Sequence, residues 1–127
     1  MSFLGRPVTD HLRSRPSYSG DEGGEGILRC VINSFPYNNL TWYKCKETES
    51  VGETKQCMNH CNNMEEVVSG DKFRIDTYPD VTNSIPEENT RLTIRNLQLG
   101  DRGCYKCLVD NTVTTDMEYI ILRVRGT

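Results

Sequence analysis

One stretch constrains the fold of this chain more than any other: Arg91-Leu-Thr-Ile-Arg-Asn-Leu-Gln-Leu-Gly-Asp-Arg-Gly-Cys-Tyr-Lys-Cys107. It reads as a strand, a tight corner and a second strand leading away. Leu92, Ile94 and Leu97 supply an apolar face on the way in, and Tyr105, Cys107 and Val109 supply one at period two on the way out. Gly100 and Gly103 bracket the turn, and Asp101, Gly103, Tyr105 and Cys107 form the pattern D-x-G-x-Y-x-C.

Upstream, Cys30 sits in Gly26-Ile-Leu-Arg-Cys-Val-Ile32, where Leu28, Cys30 and Ile32 alternate to one side, and Trp42 sits in Leu40-Thr-Trp-Tyr-Lys44. The order Cys30, Trp42, Cys107 together with the D-x-G-x-Y-x-C corner resembles the immunoglobulin superfamily. The resemblance runs from about Pro16 to Val124 and is of V-set type with some I-set features, since Cys107-Leu-Val-Asp-Asn111 is similar to the C-x-A-x-N of the latter. It implies an all-β, two-sheet Greek-key sandwich with a core disulfide between Cys30 and Cys107 and Trp42 packed on it. It also implies that the Tyr105 hydroxyl returns to the backbone of the corner. A base at the start of the strand near 71–77 should pair with Asp101; Lys72 fits, with Arg74 as the second choice. From Trp42 to Leu92 there is room for two extra strands, so an extended, disulfide-stapled C–C′–C″ region is expected, followed by a polar loop from Pro79 to Asn89 and a last strand in which Ile120, Leu122 and Val124 face inward. The F/W-G-x-G of antigen-receptor variable domains is missing, which favours other receptor domains.

At 127 residues the chain holds one domain, read as a flexible lead over 1–15 and a single immunoglobulin-like domain over 16–127. Six cysteines, an even number, point to an oxidising compartment. A net charge of −3 argues against a nucleic-acid partner, whose phosphates are held by clustered Lys and Arg. No window approaches the ~20 apolar residues of a transmembrane helix, and the first residues lack the apolar run of a signal peptide. Met1 is accordingly read as a start placed on a fragment of an extracellular protein, either the ectodomain of a plasma-membrane protein or a secreted one. Any membrane attachment would come through parts outside this chain.

The four remaining cysteines carry positional information. Cys45 lies three residues past the inward Trp42 and Cys104 three before the inward Cys107, so both point to the outer face of their sheet. One solution bonds Cys45 to Cys104 and Cys57 to Cys61. The other, favoured because a three-residue loop between bonded cysteines is strained, bonds Cys45 to Cys57 and Cys61 to Cys104. Four cysteines allow three connectivities, and spacing does not choose among them. Cys57, His60 and Cys61 also suggest a zinc site with Cys45 or Cys104, but C-x₃-C is not a usual knuckle spacing, and neither a metal nor a cofactor is expected.

No nucleophile–base set, carboxylate pair or phosphate loop is present, and the two histidines, His11 and His60, form no triad, so no enzyme is expected. The expected chemistry is surface recognition. Parity places Tyr43, Lys106, Leu108, Tyr119 and Ile121 on the outer face of the sheet that holds Trp42 and Cys107, a grouping that suits an interface core. A disulfide-stapled loop lying over them is the competing reading. Phe35 and Tyr37, on the loop from Asn33 to Asn39, are further contact candidates, and Asn39-Leu-Thr41 is the one N-x-[ST] glycosylation sequence. These features read as the ligand-binding ectodomain of a cell-surface immune or signalling receptor, whose partner is a protein ligand or counter-receptor. The alternative is an adhesion module making homophilic or array contacts, including a homodimer.

Overall fold

The computed structural model describes residues 17–32, 39–45, 57, 61, 63–80, 87–110 and 115–126. Eight strands fill most of that length. They are β1 (Ser17–Asp21), β2 (Gly26–Ile32), β3 (Asn39–Cys45), β4 (Met64–Glu66), β5 (Phe73–Asp80), β6 (Glu87–Ile94), β7 (Gly103–Asp110) and β8 (Thr115–Arg125). One sheet has the order β1-β8-β7-β3-β4 and the other β2-β6-β5. All neighbours are antiparallel except β1, which runs parallel to β8 along an outer edge. No helix among the described residues is long and apolar enough to cross a membrane.

Period-two patterning decides which residues meet between the sheets. Leu28 and Cys30 from β2, Leu92 and Ile94 from β6, and Trp42, Tyr105, Cys107, Ile120 and Leu122 from the opposite sheet form one buried cluster, closed at one end by Leu97. Cys30 and Cys107 are bonded, with their Cα atoms 6.7 Å apart. Trp42, the register partner of Cys107, donates its indole N–H to the buried Thr90 hydroxyl at 3.1 Å. A buried indole N–H without an acceptor would cost as much as a lost hydrogen bond.

The corner between β6 and β7 is built from the D-x-G-x-Y-x-C residues. Its backbone turns through a short 3₁₀ segment, Leu99–Asp101, and enters β7 at Gly103, whose φ of 129° is open to glycine and strained for other residues. Asp101 ties the corner together. Its carboxylate accepts from Lys72 Nζ and from the Gln98 backbone N–H, each at 2.7 Å, while its carbonyl accepts from the Tyr105 hydroxyl at 2.6 Å. Lys72 also donates to the carbonyl of Asn96, a residue in the left-handed region at φ 49°. Arg74 pairs instead with Asp76 at 2.9 Å. Burial pushes the Tyr105 hydroxyl well above the ordinary tyrosine pKa, and the neighbouring Asp101 charge raises it further.

Between β3 and β5 the described residues hold one short strand, β4, followed by residues 67–72 without strand, a stretch of turn formers over which the chain crosses to the opposite sheet. One expected boundary differs: the polar loop read from Pro79 to Asn89 overlaps strand at both ends, because β5 and β6 stay in register as far as Asp80 opposite Glu87. Pro79 is tolerated there because β5 is an edge strand.

Candidate functional site

The outer face of the five-stranded sheet is arranged in cross-strand rows. Asn39, Asp110 and Thr115 are register partners at one end of β3, β7 and β8; then come Thr41, Leu108 and Met117; then Tyr43, Lys106 and Tyr119, with Glu66 on β4 beside Tyr43. Beyond that row lie Cys104 and Ile121, with Cys45. Alternation turns all of these away from the core that holds Trp42, Tyr105 and Cys107.

Lys106 is the centre of the third row. Its Nζ stands 4.9 Å from the Tyr43 ring centroid and 5.9 Å from that of Tyr119, so two neighbouring strands each present an aromatic ring to one ammonium group. Such contacts contribute ~0.5–1 kcal/mol when exposed and more when a partner excludes water. Tyr43, Lys106, Leu108, Met117 and Tyr119 are all half-buried, so the strip is a close-set, accessible surface of mixed apolar and cationic character. Met117, which was not singled out from sequence, follows from the same parity along β8.

The end occupied by Ile121 is covered. Parity places Ile121 on the outer face, yet the residue is 3% exposed and packs with Cys45, Cys57 and Cys104 in a second buried cluster that Tyr119 and Met64 flank. Ile121 is therefore removed from the contact surface. The cause is the extra disulfides, which join Cys45 to Cys61 and Cys57 to Cys104, with Cα separations of 5.6 and 5.9 Å. This connectivity is neither the favoured pairing, Cys45–Cys57 with Cys61–Cys104, nor Cys45–Cys104 with Cys57–Cys61. The Cys61 backbone N–H donates to the Cys57 carbonyl at 3.1 Å, the four-residue step of a helical turn, so both cysteines share one side of that turn and each reaches a cysteine of the sheet. Cys45 and Cys104 stand side by side on adjacent strands, and the turn is bolted to both. The C-x₃-C spacing fits one helical turn but does not by itself choose between this connectivity and the favoured one. With all four sulfurs in disulfides, no thiolate is left for a zinc ion. His60, Phe35, Tyr37 and Asn111 lie outside the described residues.

Residues 13–125 match the immunoglobulin V-set domain family, and the chain belongs to it. It is 27% identical over 106 residues to vascular endothelial growth factor receptor 3 of Coturnix coturnix, an alignment covering 83% of this chain and 7% of that receptor. The chain thus spans a small part of that relative's length. Among solved structures it resembles the N-terminal four Ig domains of Dscam1 isoform 4.44 (21% identity, TM-score 0.65, 97% of this chain and 26% of that one). It also resembles a crystal structure of Dpr2 Ig1–Ig2 in complex with DIP-Theta Ig1–Ig3 (18% identity, TM-score 0.64, 94% and 32%). At these identities the structures speak for the fold alone.

Proposed function

We propose that this V-set domain is an extracellular, non-enzymatic recognition module of a cell-surface receptor, and that it engages a protein partner through the outer face of the β8-β7-β3 sheet. The observation that carries the reading is the row Tyr43–Lys106–Tyr119, a cation held between two tyrosines on three adjacent strands. Interface hot spots favour tyrosines near the centre of a patch, and a lysine placed over their rings adds cation–π contacts that strengthen when a partner excludes water. Leu108 and Met117 extend the apolar part of the strip, and the disulfide-held turn over Ile121 bounds it. Similarity to a growth-factor receptor and six paired cysteines support the extracellular assignment.

The test is a multimerised form of the domain applied to an array of cell-surface ectodomains. For any ectodomain bound, Tyr43→Ala should weaken binding by about thirtyfold or more, the effect of losing ~2 kcal/mol, while Arg95→Glu, just past the end of β6 of the opposite sheet, should leave it unchanged. Normal binding by a folded Tyr43→Ala variant would move the contact surface elsewhere. Sedimentation at rising concentration separates the receptor reading from homophilic adhesion, because self-association at micromolar concentration would support the latter.

A further inference from the structure

The end of the outer face opposite Ile121 holds the chain's one N-x-[ST] sequence, Asn39-Leu-Thr41. Asn39 begins β3, is exposed, and shares the outer face with Thr41 and Tyr43. Its Nδ2 lies 3.4 Å from Asp110 Oδ1, so the side-chain amide lies across the rim row toward β7 and not into the core. Tyr43 is four residues further along the strand, about 13 Å away at ~3.3 Å per residue. Thr41, Leu108 and Met117 fill the interval.

We propose that Asn39 carries an N-linked glycan and that this glycan closes the second end of the recognition face. The proposal rests on the reading of that face given above. In the modification, the Asn39 amide nitrogen bonds to the anomeric carbon of a lipid-diphosphate-linked oligosaccharide. The bond from that carbon to the phosphate oxygen breaks, the lipid diphosphate leaves with the electron pair, and the amide gives up one proton. One N–H remains and can still donate to Asp110. The sheet face is then bounded by two different devices: a covalently fixed turn over Ile121 and a glycan rooted beside Leu108 and Met117. Between them the Tyr43–Lys106–Tyr119 row is left as the opening, which limits how much of the face a partner, or a second copy of this domain, can cover.

The experiment uses the chain secreted from eukaryotic cells and needs no binding partner, so its outcome is independent of whether the face proves to be the contact surface. Peptide-N-glycosidase treatment in heavy-oxygen water should convert residue 39 to a labelled aspartate. Asn39→Gln and Thr41→Ala should abolish the glycan, and Thr41→Ser should retain it. Secreted protein with an unmodified Asn39 would overturn the site. Hydroxyl-radical footprinting of intact and enzymatically deglycosylated protein reads the second part. Leu108 and Met117 should react severalfold faster once the glycan is removed, with Leu99 at the distant corner unchanged. Equal reactivity of Leu108 and Met117 in the two samples would overturn the gate.

Discussion

Trp42 and Thr90 are hydrogen-bonded across the core at 3.1 Å, indole N–H to hydroxyl, in parallel with the disulfide between their own register partners. Cys107 stands opposite Trp42 on β7, and Cys30 stands opposite Thr90 on β2. Four residues on four strands thus form a closed frame, with one covalent and one hydrogen-bonded link between the sheets. Thr90→Val keeps the shape but leaves the indole N–H buried without an acceptor, at a cost of about 1–3 kcal/mol. Trp42→Phe should cost less in the Thr90→Val background than in the wild type, because the bond is already gone. A urea-denaturation double-mutant cycle reads the difference, expected at ~0.5–3 kcal/mol; strictly additive costs would show that the two residues are not coupled.

The Tyr105 hydroxyl gives the domain an alkaline limit. Its pKa is raised in the folded state by burial and by the Asp101 charge, while in the unfolded chain it ionises near the ordinary value of about 10. Below pH 10 both states hold the proton. Above it the unfolded state releases a proton that the folded state keeps, so stability falls as pH rises, by up to ~1.4 kcal/mol per pH unit. Tyr105→Phe should be less stable at neutral pH for want of the bond to the Asp101 carbonyl, and its stability curve above pH 10 should be flatter than that of the wild type. Parallel curves would show that Tyr105 does not titrate on unfolding.

Gly103 should tolerate no side chain. At φ 129° it starts β7 opposite Leu122, in a conformation that other residues adopt only under strain. Gly103→Ala is expected to cost on the order of 1–3 kcal/mol, lowering Tm. Gly70→Ala, at a position where an added methyl meets nothing within 4 Å, should have little effect.

The corner and the inward sides of the core residues were legible in the sequence because they rest on local patterns, whereas the Cys30–Cys107 bond entered through the family resemblance and Thr90 was not singled out. Period two fixed the sides of Leu28, Cys30, Trp42, Tyr105 and Cys107, and D-x-G-x-Y-x-C fixed the turn. Parity also placed Tyr43 and Lys106 on one face, since neighbouring strands alternate in step. It could not state the depth of Ile121, because depth there is set by a turn some sixty residues away in sequence, held by bonds whose connectivity spacing leaves open. The extent of β5 and β6 was missed for a related reason: a proline and a polar run look like a loop until the edge position of β5 is known.

Ile121 offers the sharpest test of that covering turn. Were it a solvent-facing residue, Ile121→Asp would change stability by no more than about 0.5 kcal/mol, as surface substitutions do. Packed at 3% exposure, the new carboxylate would instead be buried against Cys45, Cys57 and Cys104, none of which is a cation, and a loss of several kcal/mol is expected. The effect should depend on the tether. The Cys57–Cys104 bond spans 47 residues and, acting alone, would contribute ~4 kcal/mol by restricting the unfolded chain, less here because Cys30–Cys107 already closes a loop around it. In a Cys57→Ala, Cys104→Ala background the turn remains attached only through Cys45–Cys61, which lets water reach Ile121. Adding Ile121→Asp there should cost clearly less than in the wild type, as measured by urea denaturation of all four proteins. An equal cost in both backgrounds would mean that something other than the disulfide-held turn buries Ile121.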